Sequence, residues 1–299
     1  MTRSKRLGIA LGLNVALVAG QVIFGLIAGS IGLLADAAHN LADVAAVIVA
    51  LIAVRLSRRP PTPEHSYGYH RATILAALAN AVVLLVATVI IVFEAVARLG
   101  NPEPVRAGIV VVVALTATVV NLVAALVLYE KRVDLNMRSA LLHMAADAGT
   151  SLGVAATGLV ILVTGRFLWL DPAVSIAIGA LIGVEAWKLM RSAVDVLLEA
   201  TPDDLDLAAL RIAMTDVDGV SDVHDLHVWS LSSGIRALSA HVVIESQPSL
   251  EQAETIGQLV KTAISEAFTI AHATLEFETV RHDGRQPDCE SDLERHVPD

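Results

Sequence analysis

Six apolar runs, each near the roughly 20 residues that a helix needs to cross a bilayer, constrain this chain more than any other feature. They are read at about residues 7–28, 33–56, 73–97, 107–129, 140–163 and 172–194. With 55% hydrophobic and only 17% charged residues, and a mean hydropathy of +0.65, the chain is too apolar for an ordinary soluble domain. The first run follows the basic stretch Thr2-Arg3-Ser4-Lys5-Arg6, as a signal peptide would. It is longer than the usual signal core and five further runs follow, so it reads as the first span.

Lys and Arg in the short loops set the expected orientation. The N-terminus (Arg3, Lys5, Arg6), the second loop (Arg55, Arg58, Arg59, Arg71) and the fourth loop (Lys131, Arg132, Arg138) carry most of them, against Arg98, Arg106 and Arg166 on the other side. Both termini are therefore expected in the cytoplasm. The composition then changes sharply at Glu199-Ala200-Thr201-Pro202-Asp203-Asp204. Residues 200–299 hold 19 acidic and 6 basic side chains, whereas the preceding 199 hold 12 and 15. An acidic soluble domain argues against nucleic acid or anionic lipid as its partner and suits cations better. The single cysteine, Cys289, excludes a disulfide framework and a four-cysteine zinc module.

The expected organisation is a six-span transmembrane domain over 1–199, a small domain over 200–281 and a polar tail over 282–299. Within the small domain the pattern predicts a helix at 204–216, strands at 223–231 and 235–245 joined by a turn at 232–234, a helix at 249–268 and a strand at 272–280. Ser249 and Gln252 form a capping box at the start of the second helix. The order α-β-β-α-β fits a two-layer α+β domain of the ferredoxin-like kind.

Ionisable side chains inside membrane spans are expensive, which makes each a functional candidate. The second run holds Asp36, His39 and Asp43, and the fifth holds His143 and Asp147. A spacing of four places His and Asp on one helical face, about one turn apart. Two such faces opposed across a bundle offer two imidazole nitrogens and two carboxylates, a tetrahedral shell suited to Zn²⁺. Metal binding requires neutral imidazole, so protons compete with metal, which is the physical basis of an antiport. Asp36 shares much of the His39 face and is ranked below these four, as a hydrogen-bond acceptor for His39 or a proton relay. Asn40, Asn121 and Asn136 read as helix contacts or supporting groups, and Glu94 as a rim residue.

Several strings taken together resemble the cation diffusion facilitator family. They are Leu33-Leu34-Ala35-Asp36-Ala37-Ala38-His39-Asn40-Leu41-Ala42-Asp43, Tyr67-Gly68-Tyr69-His70-Arg71, Leu142-His143-Met144-Ala145-Ala146-Asp147, Asp171-Pro172, Leu198-Glu199-Ala200-Thr201-Pro202 and Val223-His224-Asp225-Leu226-His227-Val228-Trp229-Ser230-Leu231. The resemblance covers nearly the whole chain. It implies six transmembrane helices, cytoplasmic termini, a ferredoxin-like C-terminal domain, a homodimer and metal/proton antiport by alternating access. It also implies zinc as first substrate, with Cd²⁺ or Co²⁺ as further ones, because both pairs begin with His. Two departures stand out: the fourth loop, Glu130-Lys131-Arg132-Val133-Asp134-Leu135-Asn136, has no His, and Ala72-Thr73 stands where the family usually has Ala-Glu.

The same resemblance marks secondary cytoplasmic sites: His70 in the second loop, and His224, His241 and Glu278 on the strands. Glu276 is an alternative carboxylate two residues along the same strand face. His65, His227 and His272 are weaker candidates, and His282 and His296 lie in the tail. No prosthetic group is expected; Zn²⁺ is the transported and regulatory ion, with H⁺ and the surrounding lipid as the other partners. An intramembrane metalloenzyme lacks a His-Glu-xx-His string or an evident general base. A membrane-anchored sensor has no need of ligands buried in two spans.

Overall fold

The computed structural model describes residues 3–128, 135–232, 234–245 and 248–279, with side chains placed over 12–126 and from 144 onward within those segments. Six helices come first: α1 (Arg3–Ala28), α2 (Ile31–Ser57), α3 (Ala72–Gly100), α4 (Ala107–Leu128), α5 (Leu135–Thr164) and α6 (Leu170–Leu197). Then follow α7 (Leu207–Thr215), β1 (Val220–Ser232), β2 (Ile235–Ile244), α8 (Leu250–Phe268) and β3 (Ile270–Glu278). Helices α2, α3 and α6, with Ala107–Leu126 of α4 and Met144–Thr164 of α5, are long and apolar enough to cross a bilayer, and Gly12–Ala28 of α1 is a shorter apolar helix. The fold is a six-helix membrane domain followed by a small α+β domain, as the sequence predicts. Several helices run past the apolar runs, α5 beginning at Leu135 and α2 ending at Ser57. Hydropathy measures the slab of lipid, whereas backbone bonding continues until a cap or turn stops it.

Backbone contacts divide the chain into two compact units, Met1–Arg55 with Leu75–Arg191, and Leu56–Ile74 with Ser192–Asp299. In the first unit many large apolar side chains point outward, as with Phe93, Val89, Val163 and Leu181, while small ones line many of the helix contacts, as with Ala35, Ala81, Ala114, Ala117 and Ala155. Lipid chains are as apolar as leucine, so helices associate through close packing of small residues and through polar contacts. Gly158 shows how close: a Cβ there would lie 3.0 Å from Val110 Cγ1, so α5 passes hard against α4. At Gly179 of α6 a Cβ would come within 2.7 Å of Val92 Cγ2 on α3. Leu33, Ala35, Val110, Ala114, Val154 and Ile178 belong to the core these contacts enclose.

The start of α2 is held by a buried carboxylate from another helix. Asp171, at the head of α6, accepts from Ser30 Oγ and from the Ile31 backbone N–H at 2.9 Å. Ser30 Oγ in turn accepts from Leu33 N at 3.1 Å. The first N–H groups of a helix lack partners within it and carry partial positive charge, which an acidic cap answers. A side chain on Gly32 would press on Asp171 Oδ1 at 3.1 Å.

In the second unit the sheet order is β1-β2-β3, antiparallel between β1 and β2 and parallel between β2 and β3. A parallel neighbour needs a crossover, supplied by α8. Leu210 and Met214 of α7 and Val260 and Ile264 of α8 pack on Val223, Leu238, Ala240 and Val242, giving the expected two layers. Helix α8 carries the predicted capping box: Ser249 Oγ accepts from Gln252 N, and Gln252 Oε1 accepts from Ser249 N. Helix α7 starts at Leu207, not 204, because Asp206 caps it, accepting from Ala208 N and Ala209 N. Strand β1 begins at Val220, where pairing with Ile244 starts, and β3 runs Ile270–Glu278; Ser233, Val280 and the tail with His282, Cys289 and His296 lie outside the described residues.

Candidate metal centres

The structure brings His39, Asp43 and Asp147 together between α2 and α5, with one ligand atom from each within 4.8 Å of the others. His39 Nε2 lies 3.3 Å from Asp147 Oδ1 and 3.8 Å from Asp43 Oδ2. The cross-helix approach is the shorter one, so the ligands converge between helices as well as along one. Asp147 is buried, and His39 and Asp43 are partly so. His143 is on α5, four residues before Asp147, and its side chain lies outside the described residues. Two carboxylates and an imidazole at this spacing form an anionic, oxygen- and nitrogen-lined niche for a divalent cation.

Asp36, ranked in the sequence below the four ligands, joins α2 to both α1 and α5. It is fully buried and accepts from Gln21 Nε2 of α1 at 2.6 Å, Ser151 Oγ of α5 at 2.7 Å and Thr150 Oγ1 of α5 at 3.2 Å. Asn40 Nδ2 donates to Gln21 Oε1 at 3.0 Å, so Asn40 is a supporting group. Asn121 is completely buried on α4, and neither of its amide atoms has a hydrogen-bond partner among the described residues. The side chain of Asn136 lies outside them. Glu94 pairs with Arg98, whose Nε lies 2.9 Å away, and Arg98 Nη1 also donates to the Gly29 carbonyl. It serves the helix rim.

A second cluster sits on the sheet. His224 of β1 is paired in register with His241 of β2, and their rings meet edge to face with centroids 5.3 Å apart. Glu278 of β3 reaches both, its Oε1 3.0 Å from His241 Nδ1 and its Oε2 3.5 Å from His224 Nε2. These three also gather one ligand atom each within 4.8 Å. Glu276 Oε2 lies 3.5 Å from His241 Nε2, on its other side.

Asp225 is a member of this neighbourhood that sequence reasoning missed. A bulge interrupts the β1–β2 register between His224 and His227, and Asp225 there has φ of 50°. That backbone region is rare for residues with a Cβ but is tolerated best by Asn and Asp. It brings Asp225 Oδ2 to 3.7 Å from His241 Nε2 and Oδ1 to 3.2 Å from His227 Nε2. An Asp directly after a strand histidine is the only local sign, and it does not announce a bulge.

The remaining candidates are less gathered. His65 stacks on Tyr69 with centroids 4.5 Å apart, and His272 meets Tyr67 edge to face at 5.6 Å. His70 is half-buried, and its backbone carbonyl accepts from Thr73 Oγ1. Among the described residues none of the three joins a cluster of three ligand atoms. Nearby, Arg71 Nη2 contacts Glu199 Oε1 at 2.6 Å, where Glu199 has φ of 61°.

Acidic and imidazole ligands enclosed by a bundle whose outer face is apolar define an integral membrane protein that handles a metal cation. The comparisons with known proteins agree. Residues 7–198 match the cation efflux transmembrane domain and residues 202–280 the cation efflux protein cytoplasmic domain. The chain is 35% identical over 275 residues to the metal cation efflux system protein CzcD of Cupriavidus metallidurans, covering 92% of this chain and 86% of that protein. It is 35% identical over 291 residues to zinc transporter ZitB of Escherichia coli, covering 96% and 90%. The cadmium, cobalt and zinc/H(+)-K(+) antiporter of Bacillus subtilis is 31% identical over 284 residues, covering 92% and 91%. The chain belongs to the cation efflux family, and is a transporter of metal cations rather than an enzyme.

Proposed function

We propose that the protein exports Zn²⁺ from the cytoplasm in exchange for protons by alternating access, with His39, Asp43, His143 and Asp147 as the transport ligands. The observation that carries this reading is the convergence of His39, Asp43 and Asp147 from two membrane helices. Three of the four ligands expected from spacing meet, and the fourth belongs one turn from Asp147 on the same helix. Two imidazoles with two carboxylates favour zinc over harder cations, which prefer all-oxygen shells. The zinc named in ZitB and in the Bacillus antiporter supports this choice, and cadmium and cobalt are the next candidates.

Proton exchange follows from the same ligands. Imidazole binds metal only when neutral, so protonating it on one side of the membrane expels the cation there. Both termini face the cytoplasm in this reading, in a bacterial inner membrane, and the C-terminal domain pairs with that of a second copy. Metal at His224, His241 and Glu278 neutralises part of an acidic domain and couples cytoplasmic metal level to transport; His70 is a further candidate ligand.

Zinc flux into proteoliposomes under an imposed pH gradient tests the proposal. Wild type should move zinc against protons, and Asp43→Ala and Asp147→Ala should not. Flux that persists in both variants removes the proposed site, and flux indifferent to the gradient removes the exchange.

A further inference from the structure

The mechanism proposed above leaves Asp36 without a task, although it is the most deeply buried charge-bearing side chain of α2. We infer that Asp36 is a positioning residue: with Gln21, Thr150 and Ser151 it braces α2 against α1 and α5 one turn from the ligands and so sets the separation of His39 and Asp43 from Asp147. This rests on the transport site proposed above.

Geometry supports a brace in three ways. The first is placement. Asp36 precedes His39 by three residues, and Thr150 and Ser151 follow Asp147 by three and four, so each partner is one helical turn from its own ligand. The pairs His39 with Asp147 and Asp36 with Thr150 step in opposite directions along the chain, as neighbouring antiparallel helices require.

The second is the number of helices joined. Asp36 takes bonds from α1 and α5 together, and Asn40, adjacent to His39, bonds the same Gln21 amide from its oxygen side. Gln21 thus holds α2 at two points on successive turns, flanking His39. The polar contacts that bridge α2 and α5 include His39 with Asp147 and Asp36 with Thr150 and Ser151, so the brace and the ligands share one helix interface.

The third is the donor set. Gln21, Ser151 and Thr150 are neutral, and an amide satisfies them as well as a carboxylate does. In Asp36→Asn the side-chain oxygen accepts from Gln21 and Ser151. The new NH₂ donates to Thr150 Oγ1, whose own proton goes to the Asp147 backbone carbonyl 2.9 Å away. A brace therefore survives Asp36→Asn and is lost in Asp36→Ala. A proton carrier is lost in both.

The test measures zinc Kd of the purified full chain and zinc KM and Vmax in proteoliposomes. All variants carry His224→Ala and His241→Ala, so that the sheet cluster adds nothing. Removing a group that orients metal ligands weakens affinity by about 10–100-fold. We expect that loss, as a raised Kd and KM, in Asp36→Ala, a smaller one in the milder Ser151→Ala, and values within about threefold of the parent in Asp36→Asn. Unchanged Kd in both Asp36→Ala and Ser151→Ala overturns the brace, as does Asp36→Asn losing transport alongside Asp36→Ala, which assigns Asp36 to the proton. Asp147→Ala is the control: if it keeps the parent's Kd, the transport site itself is misplaced. If it loses zinc while Asp36→Ala does not, only the brace fails.

Discussion

The two metal-type clusters use the same ligand chemistry on different scaffolds. Between α2 and α5 the ligands come from helix faces at a spacing of four, with Asp147 buried in the bundle. On the sheet they come from three strands, with His224 and His241 half-exposed. Helical ligands depend on how two separate rods lie against each other, so a small relative movement opens or closes the shell. Strand ligands are fixed by a hydrogen-bonded register, His224 opposite His241 and His241 beside Glu276, and can separate only if the ladder breaks. A site that must release its cation belongs on the first scaffold, and one that reports metal level belongs on the second. Burial does not separate the two, since the most enclosed carboxylates of the clusters, Asp147 and Glu278, have 4% and 9% of the side chain exposed.

Removing a carboxylate from each scaffold separates them most strongly. Asp147→Ala and Asp43→Ala should lower zinc flux by at least about 100-fold, because each deletes a charged ligand from a site that few other groups can complete. His224→Ala with His241→Ala should leave Vmax within about threefold and raise the zinc concentration needed for half-activation. Equal losses in both sets would erase the distinction. Acidification is the next largest effect: protons compete with zinc for imidazole nitrogen, so zinc binding should weaken from pH 8 to pH 6 at each cluster, read by zinc titration at the two pH values. His39→Asp should then shift preference at the helical site alone. A harder all-carboxylate edge should raise the Mn²⁺ to Zn²⁺ flux ratio about tenfold, with sheet-site binding unchanged. The smallest effect concerns only the second scaffold: Ser249→Ala removes half of the α8 capping box and should cost about 1 kcal/mol of that domain's stability, seen as a lower melting temperature with flux unaltered.

What the sequence disclosed depended on the distance over which information travels. Helices α2 to α6 and the order of the small domain follow from runs and alternation that any local window captures. The Ser249 and Gln252 cap is equally local, and the structure has both of its bonds. The pairing of His39 with Asp43 follows from helical spacing and the repeated pair pointed to Asp147 across the bundle, but that His39 lies nearer to Asp147, 108 residues away, than to Asp43 does not follow. The same holds for Asp171, which caps α2 from 140 residues away, and for Asp36, whose partners on α1 and α5 no local pattern names. Asp225 escaped for another reason: a bulge depends on the mismatch between two strands, and neither strand alone shows it.

The Asp171 cap makes α2 a lever whose fulcrum is its first turn. At 1.5 Å per residue, His39 stands about 12 Å along the helix from Ile31. A tilt of about 5° about the capped end carries the imidazole through about 1 Å, several times the ~0.2 Å tolerance of a metal–ligand bond. In the proposed transport cycle, opening the shell therefore asks for a rotation smaller than the ordinary scatter of helix crossing angles, with the capped end of α2 standing still.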